Sequence, residues 1–187
     1  MVDQSWTDSL ARQLKSGIVA IDGPSGAGKS TFADALVARL EELRTRVVLI
    51  RTDDFATWDD PVGWWPELEE EVLRSYWRGH DFRFHPRVWR DGKPELGPRV
   101  WLRWEPLLII EGVSSARMPV RRHLKRALWL DGGTEEQRLE RGVARDGESQ
   151  RENLRRWQDF ERGWFAVDRT RDYCEIVPEY VLGSATT

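Results

Sequence analysis

Scarcity narrows this chain before any motif does. A single cysteine, Cys174, stands among 187 residues. That excludes an internal disulfide framework and suits a reducing compartment, so a cytoplasmic protein is expected. Cys174 lies in YCEIV, which reads as a strand, where a thiol serves as a small buried hydrophobe. The histidines, His80, His85 and His123, have no metal-ligand spacing, so any metal should be a hard cation held by oxygen. Neither charge dominates. The net charge is -3 with no long block of one sign, unlike a dedicated nucleic-acid binder. Long apolar runs are missing as well: IVAI, VVLI and PLLII are strand-sized, far short of a bilayer span. The opening MVDQSWTDSLARQLKSG lacks a basic start followed by an apolar block, so no secretory signal is expected. With 40% hydrophobic and 33% charged residues the composition is that of a folded protein. The length suits one domain, 1–187, with a substantial core.

One residue type is abundant instead. There are eleven tryptophans, and seven fall between Trp58 and Trp104. Two readings stand side by side: core and cover packing, or a wall for a flat ligand, since aromatic faces stack on rings.

Short apolar runs alternate with helical patterns. IVAID (18–22) precedes a helix to about Arg44, and RVVLIR (46–51) follows it. PLLIIEG (106–112), RALWLD (126–131) and CEIVP (174–178) continue the series, with a charged helix after Thr134. Continuous apolar strands separated by helices predict a parallel sheet covered on both faces. Asp22, Asp53, Glu111 and Asp131 stand at strand ends, where ligands of such sheets bind. Two stretches break the alternation. Residues 66–79 read as a helix with Pro66 at its start and Gly79 at its end. Residues 82–104 carry Val-Trp alternations around DGKPELG and predict a β-hairpin or flap, within an insertion of about 58–104. Thr134 and Gln137 form a capping-box pattern. GESQ (147–150) then interrupts the helices, a candidate hinge for a lid of about 138–151. GSATT at the end is expected to fray.

GPSGAGKST (23–31) sits between the first strand and the first long helix and matches G-x-x-x-x-G-K-[ST] in full. Glycines let backbone N–H groups converge on phosphate oxygens, and the helix N-terminus adds its positive end. The expected phosphate-binding set is Gly23, Pro24, Ser25, Gly26, Ala27, Gly28, Lys29, Ser30 and Thr31. Lys29 is placed to reach the β- and γ-phosphates, and the Ser30 hydroxyl to ligate Mg²⁺. A guanine-specific switch would need an Asn-Lys-x-Asp base reader, and the chain has no Asn-Lys pair. A remodelling ATPase would carry a strand ending in Asp-Glu, where this one has LLIIEG. A small kinase needs the loop, an acid near the metal, a base for the acceptor hydroxyl and arginines over the phosphates.

AIDGPSGAGKST, RTDDF, PLLIIEG and RLERGVARD, in that order over roughly residues 17–178, resemble the uridine kinase family, which includes nicotinamide riboside, pantothenate and phosphoribulokinases. The resemblance implies an α/β P-loop fold with a parallel five-stranded core sheet, ATP and Mg²⁺ as cofactors, and a small-molecule hydroxyl as acceptor. A nucleoside is the leading candidate, with no nucleic acid or membrane partner. It makes Asp53 the general base and places Glu111 near Mg²⁺ or the acceptor. Asp54 is assigned to the metal, although either member of the Asp-Asp pair could face the site. Asp59 is implied as the ribose ligand, with Asp60 standing where the family has His. Arg145 and Arg141 match the lid arginines, followed by Arg138, and Arg151 is the nearest candidate for a second one. The family's pyrimidine-reading segment has no counterpart. FRFHPRVWRDG stands there instead, making Arg83, His85 and Trp89 candidates for a different acceptor pocket, although the favoured reading of His85 is a simple surface or hairpin histidine. Arg83, Arg87 and Arg90 keep a monophosphate acceptor open. Other acceptors, such as a sugar or a vitamin precursor, and a non-catalytic ATP-binding module are the remaining alternatives.

Overall fold

The computed structural model describes residues 4–90 and 92–182. The expected frayed end, GSATT, lies outside the described residues, as does Asp91 in the expected turn. Among the described residues nine strands run in chain order: β1 (Gly17–Asp22), β2 (Val47–Arg51), β3 (Phe82–Phe84), β4 (Arg87–Arg90), β5 (Lys93–Leu96), β6 (Val100–Leu102), β7 (Leu107–Glu111), β8 (Leu124–Trp129) and β9 (Glu175–Ile176). Five of them make the expected parallel sheet, in the order β2-β7-β1-β8-β9.

Every residue of β7 is buried, as an interior strand of a sheet covered on both sides must be. The two-residue side-chain period then sorts the core into two layers. Val19 and Ile21 of β1, with Leu107 and Ile109 of β7, pack with Leu10 of α1 (Gln4–Gln13), Leu14 just after it, and Phe32, Leu36 and Leu40 of α2 (Lys29–Glu42). Leu108 and Ile110 face the opposite way, onto Leu68, Val72, Leu73, Phe82 and Phe84. The last group belongs to the insertion. Its helix is α3 (Trp65–Leu68) and α4 (Arg74–Trp77), joined without a break by one wide π-turn, Glu69–Leu73. The helix read at 66–79 is therefore present as residues 65–77. The hairpin is present too, as two successive antiparallel ladders: β3 pairs with β6, and β4 with β5 beyond a kink.

β8 begins and ends two residues earlier than the RALWLD reading because it pairs with β1 from Leu124 onward. β9 is shorter than CEIVP, an edge strand whose ladder ends where the Val177 N–H donates to the Trp129 carbonyl at 2.8 Å. Cys174 packs beside Ala20, Ala116 and Ala127, and burial pushes its thiol up to about 12, as inert as the sequence implied.

α5 (Glu135–Asp146) opens on the full capping box: the Gln137 N–H donates to Thr134 Oγ1, and the Thr134 N–H donates to Gln137 Oε1. Gly147 closes it, and after a short 3-10 turn, Glu148–Gln150, comes α6 (Arg151–Asp168), followed by α7 (Thr170–Tyr173). Leu139, Val143 and Leu154 fasten α5 to α6 with Trp58 against them.

The tryptophans divide into two groups. Trp64, Trp65 and Trp164 surround the guanidinium of buried Arg117 at 5.5, 5.6 and 4.7 Å, where cation–π attraction replaces part of the lost hydration. Trp6 and Trp104 pack against Phe32 and Tyr76. Trp58, Trp89 and Trp157 do something else.

Candidate functional site

Register brings the site together. Glu111, at the carboxyl end of β7, stands level with Ile21 on one side and Arg51 on the other. The loop after β1 and the turn after β2 therefore leave the sheet side by side, flanking Glu111. Asp22 holds that end of the sheet in shape. It is fully buried; its Oδ1 accepts from the N–H groups of Gly23 (2.7 Å) and Ser114 (3.0 Å), and its Oδ2 from Ala116 (2.7 Å). Burial pushes its carboxyl up to about 6 despite these bonds and the nearby charge of Lys29. Asp22 is thus a strap across the loops, with its carboxylate spent on the backbone.

The loop from Gly23 to Gly28 turns directly into α2. Gly26, at φ 73°, faces α5 so closely that a Cβ there would collide with the Arg138 carbonyl oxygen. Lys29 is buried and donates from Nζ to the Pro24 carbonyl at 2.9 Å. One residue on, Ser30 Oγ donates to Glu111 Oε2 at 3.3 Å. Glu111 is pushed up to about 7, first by burial and then by the charge of Asp53, against Lys29 and Arg51. A hydroxyl and a carboxylate oxygen in contact form the donor pair that Mg²⁺ accepts while keeping its other positions for water and phosphate. The residues present therefore fit the ion. Among the described residues no group of three or more His, Cys, Asp or Glu forms a cage.

Asp53 and Asp54 lie in the 3-10 turn Thr52–Asp54 that follows β2. Their surroundings differ. Asp53 is exposed and lines the main cavity, a space of about 570 Å³. Asp54 is half-buried and accepts from the Arg51 backbone N–H, and burial, with the charge of Asp53 added, pushes it up to about 6. Of the three residues assigned to the metal, Ser30 and Glu111 are in direct contact, and Asp54 is bonded to the Arg51 backbone.

Ser25 of the phosphate loop, Asp53 and Arg145 line that same cavity with Trp58, Trp89 and Trp157. The indoles pack edge to face, Trp58 lying 5.1 Å from Trp89 and 5.1 Å from Trp157, and form one aromatic wall. The hairpin tip closes it from above: Trp58 Nε1 donates to the Gly92 carbonyl at 2.5 Å, and Gln150 abuts Gly92. Flap and lid segment therefore meet over the cavity.

The arginines of α5 divide by position. Arg145 reaches the cavity, paired with Asp146 through two bonds of 2.7 Å. The Asp146 bond is the largest influence holding it charged, and Asp53 and Glu111 add to it. Arg141 does not reach the cavity. Its guanidinium donates to the carbonyls of Gly26 (2.8 Å) and Gly132, bracing the phosphate loop from α5. Arg138 caps the Asp131 and Gly133 carbonyls, and Arg151 is held between Glu140 and Glu148.

Trp89 is the one member of the expected acceptor set in the main cavity. Arg83 points to solvent because Phe82 and Phe84 on either side of it are buried, and the strand period sends it outward. His85 sits at the kink between the two ladders, Nδ1 3.1 Å from the Gly97 carbonyl, a hairpin histidine. Asp59 lines a separate cleft of about 180 Å³ behind Trp58. Arg87 is tied to Glu67 through bonds of 2.9 and 2.8 Å, and Arg90 is exposed beside Glu95.

Sequence reasoning missed Trp157 and Glu161. Both come from α6, far along the chain, and no local pattern distinguishes them from other residues of a charged amphipathic helix. Glu161 is 1% exposed. Its carboxylate accepts from the Ser25 backbone N–H at 2.9 Å and from the Ser25 hydroxyl.

No family model matches the chain, and no curated protein matches it by sequence. Solved structures do. A possible uridine kinase from Bacillus stearothermophilus aligns with a TM-score of 0.65 at 17% identity, over 93% of this chain and 97% of that one. A candidate fructose transport system kinase from Silicibacter sp. TM1040 aligns at 0.54 and 15% identity, over 92% and 97%. The YGR205w protein aligns at 0.52 and 12%, over 88% and 83%. The chain shares the α/β P-loop fold of these structures along nearly its whole length.

Proposed function

We propose that this chain is an ATP-dependent kinase that moves the γ-phosphoryl group to a hydroxyl of a small, unphosphorylated molecule, a nucleoside or a molecule of similar shape. One observation carries the reading: Asp53, at the end of β2, opens onto the same cavity as Ser25 of the phosphate loop. A carboxylate facing a phosphate cradle across a roofed space is what transfer to an alcohol requires. The names of the structural neighbours, two of them kinases, agree with it.

The loop amides from Ser25 to Ser30 and the Lys29 ammonium hold the polyphosphate. Ser30 and Glu111 are the residues that would hold Mg²⁺, which supplies charge neutralisation of the phosphates when bound. Asp53 orients the acceptor O–H and takes its proton as the oxygen bonds to phosphorus. The bond from the γ-phosphorus to the β,γ-bridging oxygen breaks, and its electron pair leaves with ADP. Arg145 lies within electrostatic reach of Asp53 and Glu111 and is the cation available to the transferring group. The aromatic wall holds the body of the acceptor, and the meeting of the Gly92 tip with Gln150 excludes water, the competing acceptor.

Charge in the cavity favours an acceptor without a phosphate. Among the described residues Arg145 is the cation that lines it, and Asp146 already engages it, while Asp53 and Asp146 are both acidic. Arg83, Arg87 and Arg90, which a monophosphate would need, are directed elsewhere. The test is a coupled ADP-release screen across nucleosides, sugars, vitamin precursors and nucleoside monophosphates. Stimulation well above the water background by an unphosphorylated alcohol supports the reading; stimulation by monophosphates alone, or by no acceptor, defeats it.

A further inference from the structure

The phosphate loop already holds an anion. Glu161 accepts both donors of Ser25, the backbone N–H and the hydroxyl, and Lys29 is the nearest stabilising charge on it. Ser25 is the loop residue that lines the cavity shared with Asp53, so the end of the cradle that Glu161 occupies is the end facing the acceptor. A phosphate in line for transfer lies at that end. The carboxylate and a γ-phosphate therefore compete for one N–H and repel each other, and because Glu161 is buried its charge is screened less than one on the surface.

Resting on the reading of the loop as an ATP site, we propose that Glu161 is the residue through which the protein distinguishes ATP from ADP. The γ-phosphate displaces its carboxylate from Ser25, whereas ADP leaves the Glu161–Ser25 clasp in place. The displacement has a path to the acceptor side. Glu161 lies one helical turn after Trp157 on α6, on the same face, and Trp157 is part of the aromatic wall. Releasing the clasp frees the segment of α6 that carries the wall, so the acceptor cavity takes its working shape only when a transferable phosphate is bound.

Two measurements test this with Mg²⁺ present. The first is calorimetric binding of a non-hydrolysable ATP analogue and of ADP to the wild-type chain and to Glu161→Gln, which keeps the shape and an acceptor oxygen but removes the charge. The analogue should bind the variant about tenfold more tightly, while ADP changes by less than about threefold, because the penalty removed belongs to the γ-phosphate alone. Equal shifts for the two nucleotides, or weaker binding of both, would mean that Glu161 only braces the loop and would overturn the proposal. The second needs no substitution: amide hydrogen exchange over residues 157–165 of the wild-type chain should rise with the ATP analogue and stay unchanged with ADP. Identical protection in both complexes overturns the proposal as well. A wild-type chain that binds neither nucleotide is a different failure, since it removes the phosphate-site reading on which this one rests.

Discussion

Three acids at the strand ends carry different tasks because their surroundings differ. Asp53 is exposed in the cavity and free to meet an alcohol. We expect Asp53→Asn to lower phosphoryl transfer by about 10²–10⁴-fold, the usual worth of a positioned base. ATP affinity by calorimetry should stay within about threefold of wild type, since the loss is confined to the transition state. Glu111 is buried against Ser30, and in the proposed reading it is a residue that would hold Mg²⁺. Asp22 is occupied by three backbone N–H groups, and its consequence is for stability. Its folded value, about 6, lies above the ordinary 3.8. The folded state therefore binds the proton more tightly, and the stabilisation from that proton is full below the ordinary value and is lost as pH rises toward 6. Urea midpoints measured from pH 4.5 to 7 should fall more steeply for wild type than for Asp22→Asn. Parallel slopes would show that Asp22 does not titrate in that window.

At the scale of elements, what matters is how closely α5 approaches the phosphate loop. Gly26 lies against the Arg138 backbone with no room for a Cβ, and Arg141 ties the Gly26 carbonyl to the same helix. We expect Gly26→Ala to push α5 and the loop apart and to abolish measurable ATP binding by calorimetry, while the circular dichroism of the sheet and helices is retained. The capping box of α5 is a local device whose loss is modest. Thr134→Ala should destabilise the fold by about 1 kcal/mol in urea unfolding and leave nucleotide binding intact. Such local devices were legible in the chain. Thr134 and Gln137 declared the start of α5, and the glycines of 23–28 declared the loop, because caps and tight turns are made by residues a few positions apart. The destination of an arginine was less legible. Arg141 and Arg145 sit on one helix four residues apart, and the sequence offered both as lid arginines. The rotation of α5 on the loop, set by the Gly26 contact, sends one to backbone carbonyls and the other to the cavity.

For the whole molecule, the candidate site is made of parts that are remote in sequence: a loop after β1, a turn after β2, the tip of the hairpin and one face of α6. Any ligand that binds this closed arrangement and not the unfolded chain must stabilise it. ATP with Mg²⁺ at about a hundred times its Kd should contribute about 2.7 kcal/mol, a rise in Tm of roughly 5–10 °C for a chain of this size. Lys29→Ala should abolish that rise in a thermal melt without lowering the melting temperature of the nucleotide-free protein by a comparable amount. The same arrangement explains why the acceptor pocket was only partly visible beforehand. Trp89 was identified, whereas Arg83 and His85, close to it in sequence, were sent outward or into the hairpin by the strand period and the kink between ladders.

By itself the sequence determined the strands, the helix starts and the phosphate cradle, because each depends on hydrophobic period, capping or glycine spacing within about twenty residues. Only the tertiary structure decided which of two adjacent aspartates faces the cavity, which arginine reaches it and which tryptophans wall it. It alone brought Glu161 onto Ser25, across 136 positions of chain. Contacts of that span depend on the angle at which helices pack on a twisted sheet, and that angle is set by the sum of many side-chain volumes.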